Sequence, residues 1–271
     1  MRRVYLDAQQ WSYFDVAGPS PQPDGALGLL RAAVGRREVE VVGSLDLLQE
    51  LIADAPSRPA ASKRRAKLLF EFAGPRILLP LSERHAAEVA AGGRLSPDRR
   101  YLPGDVLMEA KRLARGEGAL EVARLSAAEK SGFLEGELAA QADLERKLVE
   151  LGGKPSVGWM RAWVVKSVDE WVNEIVLERG AARDDVGGME ADCFERFPSV
   201  WTFVAVRLAR LAQTLGEGQR IKGSDLADAH HVACGPYVEI IVTDDRAFRS
   251  ALDILRLPFR AMTSSEFFNG L

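Results

Sequence analysis

Arg3-Val4-Tyr5-Leu6-Asp7 is a short apolar run that ends on an acid, and Glu239-Ile240-Ile241-Val242-Thr243-Asp244-Asp245 repeats the pattern near the other end of the 271-residue chain. Such β-branched and aromatic runs read as strands. A carboxylate closing a strand among apolar neighbours needs a cation or a proton to be tolerable. Working outward from the first run, strand one covers residues 3–7, a helix follows over 24–35, and strand two covers 39–42. Ser44 suits the N-cap of a helix through Ile52, a third helix over 61–73 stops at Gly74-Pro75, and strand three covers 77–80. Strands alternating with helices in this way are βαβ units and imply a mainly parallel sheet, hence an α/β fold.

From 94 to 197 the strand pattern vanishes and the chain reads as wholly helical. Ser126 and Glu129 form a capping box opening a helix that Gly152-Gly153 ends, and another helix covers 157–179. A helix begins at Pro198 and runs to Leu215, interrupted by Gly216 and Gly218. The α/β pattern then resumes with a helix from Ser224 to Cys234, strand four over 239–243, a helix from Asp245 and strand five over 259–262. The expected organisation is one α/β core in two parts, 1–93 and 198–271, split by an all-helical insertion over 94–197.

Composition narrows the function. An apolar content of 47% can bury one large core, while 36 basic against 39 acidic residues give a net charge of −3. That balance excludes a polyanion-coating protein and an acidic disordered one, so any nucleic-acid contact is local. Cys193 and Cys234 supply neither a disulfide framework nor a thiolate zinc site. No run of ~18 apolar residues exists, and the start is too short for a secretory segment, which leads to the expectation of a cytoplasmic protein without membrane contact.

If strands one and four are neighbours where a doubly wound sheet reverses direction, Asp7 and the Asp244-Asp245 pair meet at its carboxyl edge, the crevice where such folds bind ligands. Asp225 and Asp228, three apart on one helix, point the same way, and Glu50 follows strand two to the same edge. Like charges ~4 Å apart cost about 4 kcal/mol even at an effective dielectric of 20. Hard divalent cations relieve that repulsion. Magnesium or manganese takes carboxylate oxygens, and two such ions about 4 Å apart can hold an attacking water in line with the leaving oxygen of a phosphodiester.

Four pieces, in this order and spacing, resemble the PIN-domain ribonuclease family: Val4-Tyr5-Leu6-Asp7, Ser44-Leu45-Asp46-Leu47-Leu48-Gln49-Glu50, Asp225-Leu226-Ala227-Asp228-Ala229-His230-His231 and Val242-Thr243-Asp244-Asp245-Arg246-Ala247-Phe248. The resemblance covers about residues 1–92 and 199–271 and is similar to the longer bacterial members with a helical insertion. It implies a three-layer α/β/α sandwich with a five-stranded parallel sheet in the order 3-2-1-4-5. It further implies that Asp7, Glu50, Asp228 and Asp245 are catalytic and hold one or two Mg²⁺ or Mn²⁺ ions, with Asp225 or Asp244 assisting. The implied reaction is endonucleolytic hydrolysis of single-stranded RNA, as a toxin of a toxin–antitoxin system or an RNA-processing enzyme. An antitoxin or other protein partner on the insertion, and a homodimer, are the protein partners this reading allows. Ala8-Gln9-Gln10 departs from the Thr or Ser and small polar residue that the family carries after its first aspartate, and the chain is far longer than a compact toxin.

Alternatives stay open. The same scaffold serves a DNA-directed or structure-specific nuclease, or a catalytically inactive binding module. For nucleic-acid binding, Lys63, Arg64, Arg65 and Lys67 form one basic run, Arg99-Arg100 and Arg207 with Arg210 form others, and each is also what a solvated face looks like. Trp11 and Tyr13 are placed to stack bases beside Asp7, or to pack a loop over the core. His230 and His231 point about 100° apart, so they do not act together, and a structural role is the plainer reading. Trp159, Trp163 and Trp171 recur with Val164, Val168 and Ile175 as a core or interface stripe.

Overall fold

Val4, Tyr5 and Leu6 are buried on both faces of the sheet, as expected of a central strand in a parallel sheet covered by helices on each side. The computed structural model describes residues 1–15, 25–53, 55–117, 142, 146, 157–178, 193–217, 224–255 and 257–271. In it β1 (Arg2–Leu6) pairs in parallel with β2 (Val39–Ser44) on one side and β4 (Ile240–Val242) on the other. β3 (Ile77–Leu78) and β5 (Arg260–Met262) add parallel edges, giving the order β3-β2-β1-β4-β5. The protein is therefore an α/β three-layer sandwich with a five-stranded parallel sheet.

Helices α1 (Ala8–Asp15), α4 (Pro59–Ala73) and the C-terminal α12 (Ser264–Asn269) pack together through aromatic side chains, and α2 (Ala26–Gly35) sets Arg31 over the Phe72 ring. Trp11 lies edge-on to Phe14 and tilted on Phe72, and Phe14 meets Phe268 edge-on. The opposite layer contains α5 (Leu81–Ala91), α9 (Pro198–Glu217), α10 (Ser224–Val232) and α11 (Arg246–Leu255). Helix α3 (Leu45–Ala53) connects the two, packing on α4 and on α10, while α6 (Gly104–Ala114) covers α3 and α4. Among the described residues no helix is long and apolar enough to cross a membrane.

The insertion departs from its expected all-helical form at its start. Gly92-Gly93, Pro97 and Pro103 prevent a helix from continuing through this stretch. The chain instead runs along β3: Tyr101 bridges Leu78 in antiparallel fashion, Leu79 N–H donates to Arg100 O and Leu102 N–H to Ile77 O. Strand three is correspondingly two residues long, and not the four expected. Helix α7 (Val157–Glu178) is present as expected, and α8 (Cys193–Arg196) is one turn before Pro198. On α7 the buried stripe is Val164, Val168, Val172 and Val176, which join the main apolar core. Trp163 and Ile175 are half-buried and pack against that core, Trp171 is 38% exposed, and the Trp159 side chain lies outside the described residues. The capping box at Ser126 and Glu129 and the Gly152-Gly153 stop lie outside them too. Helix α9 continues through Gly216 to Glu217. After α10 the chain turns sharply at Gly235, where an added Cβ would sit 2.3 Å from the Phe259 ring.

Candidate functional site

Asp7 is the first residue past β1, held against β4 by its N–H donating to Val242 O at 3.2 Å. Its Oδ1 accepts from the backbone N–H of Gln9 (3.0 Å) and Gln10 (3.2 Å), which makes Asp7 the N-cap of α1. Asp7 as a whole is 8% exposed. Burial pushes its pKa from 3.8 up to about 6, against the Thr243 hydroxyl, His231 and the Gln10 N–H, while Glu50 pushes the same way as burial.

Glu50, half-buried on α3, bonds through Oε2 to Nε2 of His231 at 2.5 Å. The other ring nitrogen, Nδ1, lies 2.7 Å from the Tyr5 hydroxyl, which is 3.1 Å from Ser44 Oγ. Ser44 Oγ in turn accepts from Leu47 N–H at 3.0 Å, the N-cap expected for α3. With Nε2 protonated, Tyr5 donates to Nδ1 and accepts from Ser44, so the partners of this group are mutually satisfied. The four side chains close a ring that begins and ends on α3. Burial opposes charge on His231, yet Glu50, Asp7 and Asp228 together hold its pKa above the ordinary imidazole value. Asp228 stands three residues earlier on α10, half-buried. Asp7, Glu50 and Asp228, from three separate elements, thus surround one imidazole at the carboxyl edge of β1 and β4.

The tandem acids are held by different partners. Asp245 is the N-cap of α11: its Oδ1 accepts from Phe248 N–H at 2.8 Å, and its own N–H donates to Thr243 Oγ1 at 3.1 Å. Asp244 is no cap of that helix. It accepts from Ser264 N–H (2.9 Å), from the Ser264 hydroxyl and from Gln10 Nε2 (3.1 Å), tying α12 and α1 to the end of β4. The Asp225 side chain lies outside the described residues.

The nucleic-acid candidates divide. Trp11 is fully buried, its Nε1 donating to Leu6 O, so it is a core residue and cannot stack a base. The aromatic residue beside the acids is Tyr13, half-buried, its hydroxyl pKa raised by burial and by Asp244 and Asp7. Arg65 is 7% exposed and faces Ser12 and Asp15, which removes it from the basic surface, and Arg64 is paired with Asp15. Lys63 and Lys67 are the exposed lysines of that run.

Behind the site lies a second buried polar group that the sequence patterns did not reveal. Asp46, in the first turn of α3, accepts from Leu81 N–H at 3.1 Å and stands 3.6 Å from both the Arg84 guanidinium and His230 Nδ1. Burial alone would raise the Asp46 pKa, but His230, Arg84 and His231 hold it below the usual carboxylate range. Arg84 is fully buried, donating to Ala233 O at 3.0 Å and to Cys234 Sγ at 3.3 Å, and Cys234, Asp46 and Tyr237 keep it charged despite that burial. The available signal was Asp46 itself, an acid two residues into a helix whose neighbours are apolar.

Among the described residues no three His, Cys, Asp or Glu side chains stand in ligating geometry. The donor set nevertheless suits a hard divalent cation. Asp7, Glu50 and Asp228 offer carboxylate oxygens, and Asp7 is destabilised as an anion by its burial. The group that stands among them in this arrangement is the His231 imidazole. No family model matches the chain, and neither a curated protein nor a solved structure matches it. What the site can do therefore follows from these side chains.

Proposed function

We propose that the chain is a metal-dependent endonuclease that hydrolyses phosphodiester bonds of single-stranded RNA, as its resemblance to the PIN-domain ribonucleases implies. The observation that carries this reading is the convergence of Asp7, Glu50 and Asp228 around His231 at the carboxyl edge of the two central strands. Asp7, Glu50 and Asp228 would hold the Mg²⁺ or Mn²⁺, with Asp245, Asp225 or Asp244 assisting. When bound, the metal supplies charge neutralisation at the phosphodiester and a more acidic water. The chain's own part is orientation. The Gln9 and Gln10 N–H groups fix the Asp7 carboxylate, and the Ser44–Tyr5–His231 relay fixes Glu50. Tyr13 offers a ring beside the acids, and Lys67 offers exposed charge to a phosphate backbone.

The test is Asp228→Asn with a single-stranded RNA and manganese. Cleavage is expected to be lost while the melting temperature stays within a few degrees of wild type; unchanged cleavage refutes the site. A matched DNA strand digested in parallel separates the RNA-directed from the DNA-directed enzyme. A second reading, an acid-lined binding module without catalysis, draws on the engagement of Glu50 by His231 and of Asp245 by the α11 backbone. Wild-type melting that ignores manganese favours it.

A further inference from the structure

Ile52 follows Glu50 by two residues on α3, about 200° around the helix, and so faces away from the acids. There it lines a cleft of about 630 Å³ between α3, α4 and α6, with Pro59 and Leu113 as further apolar wall. A volume of that size is in the range of small-molecule sites. The polar groups are few and of one kind. Ser62 lines the cleft at 2% exposure, and its hydroxyl has no hydrogen-bond partner among the described residues, an uncommon state for a buried polar atom. Lys63 and Arg115 also line it; both are exposed, and no ion pair among the described residues engages either. Among the described residues no carboxylate and no aromatic ring lines the cleft.

We propose that this cleft binds a small amphipathic anion, a carboxylate carried on an aliphatic body. The body lies against Ile52, Pro59 and Leu113, the carboxylate meets Lys63 and Arg115, and the Ser62 hydroxyl donates to it. A bare anion would leave the apolar wall uncovered, and a neutral hydrocarbon would leave the two cations and the hydroxyl unused. A nucleobase would lack the aromatic face on which bases stack. The site lies on the far side of α3 from the acids, and its existence does not depend on the nuclease reading.

The experiment is calorimetric titration of the full chain with decanoate, decanol and inorganic phosphate. Decanoate is expected to saturate one site, decanol to bind roughly tenfold or more weakly, in line with losing a charge-assisted hydrogen bond, and phosphate not to bind. Ala60→Phe, at an exposed position lining the cleft, should abolish decanoate binding, and Lys63→Ala with Arg115→Ala should weaken it about tenfold or more. Ser62→Ala should weaken it several-fold while leaving the melting temperature unchanged or higher. Absence of saturable decanoate binding, phosphate binding as tightly as decanoate, or decanoate binding that survives Ala60→Phe overturns the proposal.

Discussion

Replacing Asp7 by Asn removes a charge from a place that burial makes hostile to it, while keeping an oxygen to accept from the Gln9 and Gln10 N–H groups. The carboxyl titrates at about 6 in the folded protein against 3.8 in its ordinary state. Because the folded value is the higher one, the Asp7 contribution to stability is complete below pH 3.8 and is lost as the pH rises through 6. At about 1.4 kcal/mol per pH unit, the loss at pH 7.5 is roughly 3 kcal/mol. In metal-free buffer Asp7→Asn should therefore be more stable than wild type by up to about 3 kcal/mol at pH 7.5, or about 6 °C in melting temperature at roughly 2 °C per kcal/mol. Near pH 4 the two proteins should converge. Urea unfolding of both proteins from pH 4 to 8 measures the difference, in which the titrating groups that do not interact with Asp7 cancel and only His231 and Glu50 add to its own titration. A variant that is less stable at pH 7.5, or a difference that does not change with pH, refutes the argument from burial. Manganese added at pH 7.5 then separates the metal question: the wild type should gain stability and the Asn variant should gain little.

Two further outcomes test the layers around the site. Arg84→Met leaves Asp46 buried without its guanidinium partner and should cost about 3–5 kcal/mol by urea unfolding; a loss below about 1 kcal/mol would mean that His230 and the Leu81 N–H satisfy Asp46 without it. Gly235→Ala drives a methyl group into the Phe259 ring and should cost at least about 1–3 kcal/mol, whereas Gly28→Ala, in open space within α2, should gain about 0.5–1 kcal/mol by the same measurement.

Much of this fold is legible in the sequence because β1, β2 and β4 are short apolar runs bounded by polar residues, and parallel strands buried on both faces must look that way. Asp7 and Glu50 follow two of those strands and Asp228 lies on the helix before the third, so their gathering at one edge is legible too. The remaining differences have local causes. Helix α11 begins at Arg246, one residue later than its sequence suggests, and that single step makes Asp245 its N-cap. Helix α1 starts directly after Asp7, and its first turn carries Trp11 inward, where the sequence suggested a loop. Arg65 shares a basic run with Lys63 and Lys67 but occupies the inner face of α4. The pairing of Asp46 with Arg84 and His230 joins three elements far apart in the chain, and no local pattern announces it.

The pairing of β1 with β4 sets Val4, Tyr5 and Leu6 beside Ile240, Ile241 and Val242. These neighbours are synthesised at opposite ends of the described chain. At about 5–20 residues per second, β1 waits roughly 10 to 50 s for its partner to emerge. During that interval Asp7 has neither the Val242 carbonyl nor the Thr243 hydroxyl that hold it in the finished protein, and α10 is missing until nearly the end. The growing chain therefore carries three of the five strands and two of the three acids around His231 for most of its synthesis, and the cluster closes as one of the last events of folding.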